Sequence, residues 1–154
     1  ISGVAKVLVP STTKSALSAV GLPSSIALVR SLGVTEIVLG ILGILLGGTY
    51  FPIFIGALFA FFTIFIILSL RNSQVVSCGC FGATSSPPSL LHVLANLLFM
   101  VVALLAIGVE GLSDVLDEQP ANGIPFVLAI LLGALVTYLI LAFGSRVWGK
   151  KVSL

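Results

Sequence analysis

The stretch Tyr50-Phe-Pro-Ile-Phe-Ile-Gly-Ala-Leu-Phe-Ala-Phe-Phe-Thr-Ile-Phe-Ile-Ile-Leu-Ser-Leu70 carries no charged residue from end to end. At about 1.5 Å of rise per residue, a helix of this length crosses a bilayer hydrocarbon core of about 30 Å. Its apolar residues are continuous, whereas a membrane β-barrel strand alternates apolar with polar positions, so the segment reads as a transmembrane helix. Pro52 falls in the first turn, where a missing backbone N–H costs little.

Working toward the N-terminus, Gly47-Gly48-Thr49 turns the chain, and Ile26 to Leu46 forms another apolar span capped by Ser24 or Ser25. Gly33, Gly40, Gly43 and Gly47 recur along it as a candidate packing stripe, because glycine lets helix backbones approach closely in lipid. Before Gly21-Leu22-Pro23, residues 14–21 are mildly amphipathic and read as a short interfacial helix. An opening apolar segment closes near Val9 at Pro10 and the Ser11-Thr12-Thr13 cluster. It is too short to span, and the expectation is that the first spanning helix begins upstream of Ile1.

Toward the C-terminus, a polar loop from Arg71 to Ser89 leads to a span from Leu90 to Val109. A second loop, Glu110 to Gly123, holds four of the five acidic residues, and a last span runs from Ile124 to Phe143. Trp148, Lys150 and Lys151 follow as interface anchors. The expected fold is an all-α polytopic membrane bundle of five spans: four within residues 1–109, and one more after the acidic loop, within residues 110–154.

Composition agrees with this class. Apolar residues make up 58% of the 154 residues and charged ones 8%, against about 25% charged in soluble domains. A net charge of +2, with no Lys/Arg cluster interleaved with aromatics, sets nucleic acid aside as a partner.

Alternation of five spans puts all seven basic residues, Lys6, Lys14, Arg30, Arg71, Arg146, Lys150 and Lys151, toward one side of the membrane. Glu110, Asp114, Asp117 and Glu118 fall on the other. The positive-inside rule makes the basic side cytoplasmic in a cell (inner) membrane, with the C-terminus and the Arg71–Ser89 loop on that side.

That loop holds both cysteines of the chain, Cys78 and Cys80, one glycine apart. Residues so close in sequence can bring their sulfurs together, and the small ring they would close is strained and easily reduced, which suits exchange more than structural cross-linking. A cytosol-facing pair of this kind is transient, catalytic or metal-bound, because cytosolic thiols are kept reduced. Two unpaired, hydrophobe-like cysteines are the bland alternative. A zinc site wants four ligands, and only Cys78, Cys80 and His92 offer themselves, so no metal is assigned.

Glu36 is the only acid inside a span and needs a partner or a polar cavity. Lys6, toward the same side, is the preferred structural partner, since Arg30 lies too far round the same helix. In a functional reading, Glu36 or His92 supplies a proton donor or acceptor to the thiolate. His92 and Asn96 are four apart on one helix face, and for both interhelical hydrogen bonding is the preferred reading.

Ser2-Gly3-Val4-Ala5-Lys6, Gly21-Leu22-Pro23, Glu36 in its Gly- and Leu-rich span, Cys78-Gly79-Cys80-Phe81-Gly82 and Asn96 together resemble the methylamine-utilisation MauE proteins of the broader DoxX-like group. The resemblance covers residues 1 to about 109, and Cys-Gly-Cys-Phe-Gly is its most specific element. It implies a four-helix membrane protein associated with thiol redox, working beside a thioredoxin-like partner. Two departures stand out: Ala95 precedes Asn96 where such sequences often carry a basic residue, and a fifth span follows. The functional expectation is thiol–disulfide exchange at Cys78 and Cys80. The rival is a non-catalytic accessory subunit held to other membrane subunits through its helix faces. No cofactor is evident in the residues, and whether a quinone accepts electrons is not readable from them.

Overall fold

The computed structural model describes residues 2–71, 89–118 and 120–149. Among them the chain is almost wholly helical: α1 (Ser2–Leu8), α2 (Pro10–Ala19), α3 (Ile26–Leu46), α4 (Tyr50–Arg71), α5 (Leu90–Leu105), α6 (Leu112–Glu118) and α7 (Ile124–Gly149). Two helices, α3 and α4, are long and apolar enough to cross a membrane. Shorter apolar helices cover Leu90–Leu105 and Ile124–Ile140.

Burial separates this arrangement from a soluble helical core. Only 11% of the most apolar window of α3 and 22% of that of α4 is buried, where the core helix of a soluble protein would be mostly covered. Val34, Val38, Ile41 and Leu45 recur at helical spacing and are all exposed. So wide an apolar exterior is stable in hydrocarbon and not in water.

The helices assemble in two tight pairs. α4 lies along α5, where the rings of Phe59 and Phe99 are 5.4 Å apart and Gly56 faces Leu104. α1 crosses α3 at a glycine–glycine contact, in which a Cβ built on Gly33 would fall 2.7 Å from the Gly3 carbonyl oxygen. Short α2 caps one end of the bundle. Its buried Ala16 and Leu17 meet Val29 of α3, Phe65 and Ile66 of α4, and Val93 of α5.

Several boundaries differ from expectation, each for a local reason. The interfacial helix begins at Pro10 and not near Lys14, because proline's fixed φ and missing N–H suit the first helical position; a presumed stop is a start. Ser25 supplies the α3 cap, its Oγ accepting from the Leu28 N–H at 3.0 Å. The span expected to reach Val109 ends at Leu105, since Gly108 turns at φ +83° and Val109–Glu110 (β2) pairs antiparallel with Gly47–Gly48 (β1). Two-residue strands have no periodicity to read. This bridge joins the α3–α4 turn to the chain leaving α5, and Gly47, at φ +57°, has no room for a side chain there.

The acidic connection is also more ordered than a loop. It forms α6 and a 3-10 turn, Pro120–Gly123, and Ser113 Oγ donates to the Leu45 carbonyl at 2.7 Å, fixing α6 to the end of α3. α7 continues past the Gly144-Ser145-Arg146 stop to Gly149. A single glycine only weakens a helix, and neither of the other two residues breaks one.

Candidate functional site

The described polar chemistry gathers where α1, α3, α4 and α5 converge. Close approach at Gly3 and Gly33 brings the next turn of α1 onto the next turn of α3, which carries Lys6 toward Glu36. The Lys6 Nζ lies 2.8 Å from Glu36 Oε1 and donates a hydrogen bond to Oε2 at 3.2 Å. Lys6 is 1% exposed, and the Glu36 side chain 10%.

Two further groups hold the ammonium. It donates to Ser2 Oγ at 2.6 Å, one turn back on α1, and sits 4.8 Å from the centroid of the Phe62 ring. The ammonium thus faces both oxygens of the same carboxylate, the nearer at 2.8 Å. An ion pair so buried repays its desolvation only because both charges and the extra donors and acceptors are present together.

Beside the pair is a cavity of about 220 Å³, lined by Lys6, Glu36, Gly40, Phe59, Phe62 and Asn96 among others. Its walls are mostly apolar. Gly40 opens onto space, and a Cβ built there would meet no atom within 4 Å. The four glycines of α3 and its turn therefore have different surroundings. Gly33 faces α1, Gly43 faces Ile55 and Phe51 of α4, Gly47 abuts the strand bridge, and Gly40 borders the cavity.

The structure brings Lys6, Glu36 and Asn96 to one place. Asn96 Nδ2 donates to the His92 carbonyl at 2.7 Å, so this bond runs back along α5 and does not cross to a neighbouring helix. His92 is buried in the first turn of α5, its Nδ1 2.7 Å from Ser89 Oγ. Cys78 and Cys80 lie outside the described residues. Sequence reasoning passed over Ser2 and Phe62. Ser2 was readable as the residue four before Lys6 on one helix face, but nothing marks Phe62 out among the phenylalanines of α4. Among the described residues, no group of three or more His, Cys, Asp and Glu side chains could hold a metal ion.

A family model described as Methylamine utilisation protein MauE matches residues 1–109. The chain belongs to the MauE family. The MauE match takes in α1 to α5, the Lys6–Glu36 pair and the cysteine loop, and ends where β2 begins. It carries no assignment to the wider DoxX-like group. The acidic connection and α7 lie beyond the MauE region. No curated protein and no solved structure matches the chain.

Proposed function

We propose that this MauE-family chain is a multi-pass membrane protein of thiol–disulfide exchange, in which Cys78 and Cys80 cycle between dithiol and disulfide against a thioredoxin-fold partner. The observation that carries the reading is positional. The chain's two cysteines stand one glycine apart, between Arg71 at the end of a membrane-length helix and Leu90 at the start of the next apolar one. Two thiols so close in sequence, in the connection between two apolar helices, support exchange with each other and with a soluble partner.

In the exchange, one thiolate attacks the partner's disulfide, forming a mixed disulfide and releasing a partner thiolate. The second cysteine then attacks the mixed bond, closing the Cys78–Cys80 disulfide and freeing the partner as a dithiol. Two electrons pass to the partner, and the protons leaving the two cysteine thiols balance those taken up by the partner. His92, in the first turn after the cysteine loop, is the better placed proton acceptor. Glu36 lies roughly 15 Å of helix rise beyond Ile26 on α3, and its role is the ion pair with Lys6.

With five spans in alternation, the loop and the C-terminus face the cytoplasm on the basic side of an inner membrane. The family's own description places its members in methylamine utilisation.

A serine in place of Cys80 alone removes the resolving thiol. The expected result is a covalent adduct of the Cys80→Ser chain with a thioredoxin-fold protein, visible on non-reducing gels and lost on treatment with dithiothreitol. Partner maturation that is unchanged in the Cys78→Ser/Cys80→Ser chain rejects the reading.

One observation favours the rival accessory role. Outside the MauE match, α7 presents Leu128, Leu131, Leu132 and Leu135 at 51–62% exposure, more apolar face than its contacts with α5 and the 3-10 turn cover. Stoichiometric copurification with another membrane subunit, insensitive to loss of both cysteines, would decide for that role.

A further inference from the structure

The charges at the α2 end of the bundle carry an inference that stands apart from thiol exchange. We propose that Lys14, Arg30 and Arg71 form a binding surface for the head groups of anionic phospholipids, with α2 lying in the head-group layer.

Depth is the first support. The buried side of α2 rests on Val29 of α3, Phe65 and Ile66 of α4 and Val93 of α5, so α2 lies across three helices and not along one. Val29 and Val93 come three residues after the first residue of their helices, and Ile66 five before the last of its own, which sets α2 about 5–8 Å in from all three ends. The polar layer on each side of the hydrocarbon is about 5–8 Å deep. Arg30 follows Val29 at the level of α2, and Arg71 closes α4, so these cations fall within one such layer.

The outward face of α2 fits that depth. Ser11, Lys14, Ser15 and Ser18 recur every three to four residues and are exposed, opposite the buried Thr13, Ala16 and Leu17. This face presents hydroxyls and an ammonium and no acid, as a surface that meets phosphate requires.

Charge selects the lipid. Lys14, Arg30 and Arg71 are exposed, and among the described residues none of them is in a salt bridge. The exposed acids Glu110, Asp114 and Glu118 belong to the opposite end, where Ser113 ties α6 to Leu45, about 30 Å along α3 from its first residue. A net-negative head group is attracted at one end and repelled at the other.

The surroundings of the arginines separate a lipid from an acidic soluble protein. Exposed Ile26 and Leu28 precede Arg30, and exposed Leu68 and Leu70 precede Arg71, so a ligand on these cations covers apolar side chains as well. A phospholipid does both, laying its acyl chains on the apolar residues and its phosphate against the guanidinium groups.

For the test, the full chain is reconstituted in phosphatidylcholine bilayers containing a trace of phosphatidylglycerol or phosphatidylcholine spin-labelled on an acyl chain. The immobilised fraction of each label gives their relative affinity. At low salt phosphatidylglycerol should be preferred by about fivefold or more, the worth of one basic residue near an anionic surface, and the preference should shrink in high salt. Lys14→Gln/Arg30→Gln/Arg71→Gln, three exposed substitutions, should abolish most of it. Arg146→Gln/Lys150→Gln/Lys151→Gln and Asp114→Asn/Glu118→Gln should retain it.

A preference unchanged in the first triple variant, or lost only in the second, would overturn the assignment. Equal affinity for the two lipids in the unaltered chain would also overturn it and leave these cations to an acidic protein. Excess glycerol phosphate in solution should not release the immobilised lipid; release would show a site for a soluble anion and reject the lipid surface.

Discussion

Replacing Lys6 by methionine should cost about 3–5 kcal/mol of stability, the largest effect of any single substitution considered, because it leaves the Glu36 carboxylate buried without its cation. Methionine keeps most of the lysine's apolar length, so the loss reports charge and hydrogen bonds more than packing. The ammonium it removes has three partners: the carboxylate at 2.8 Å, Ser2 Oγ at 2.6 Å and the face of Phe62. The double variant Lys6→Met/Glu36→Leu should regain most of the loss, since both desolvation costs disappear with the charges. Unfolding midpoints in mixed micelles, measured for the four members of this cycle, check both statements. A double variant as unstable as Lys6→Met would show that the pair is not the source of the effect.

Substituting Gly33 should have the next largest effect. Even alanine at this position brings a Cβ to 2.7 Å from the Gly3 carbonyl oxygen and 3.0 Å from Lys6 Cβ. The first of these is backbone, which cannot rotate away as a side-chain tip can, so α1 and α3 must separate. The expected loss is about 1–3 kcal/mol, the usual cost of overpacking, despite the gain of up to about 1 kcal/mol in helix propensity on replacing glycine by alanine. Gly40→Ala, one and a half to two turns further along the same helix, is the internal control and should be neutral or stabilising, because nothing lies within 4 Å of its Cβ. Equal destabilisation by the two alanines would mean that the glycine contact does not hold α1 to α3.

What the sequence could disclose follows from which interactions are local. The spans Ile26–Leu46 and Tyr50–Arg71 are legible because a membrane helix satisfies its own backbone and shows its nature in an unbroken apolar run. The Lys6–Glu36 contact is legible by elimination: an acid within a span requires a partner, and few cations lie at its depth. Other features depend on groups distant in the chain. The strand bridge between Gly47–Gly48 and Val109–Glu110 depends on pairing across α4 and α5, and two residues leave no pattern. The cavity depends on which of the α3 glycines meets a neighbour, and spacing alone treats Gly33 and Gly40 alike. Pro10 signals both a stop and a first helical residue, and only the packing of Ala16 and Leu17 against Val29 decides for the latter.

The MauE match and the sequence reading meet at the cysteine loop, and the functional account depends on the state of those two sulfurs. The direct measurement is to quench membranes containing the full chain in acid, alkylate free thiols with a mass tag, and count tags per chain across a series of glutathione redox buffers. Thiol–disulfide cycling at Cys78 and Cys80 predicts two species, carrying both tags or neither, whose ratio follows the buffer potential. Chains that carry both tags at every potential would contradict it.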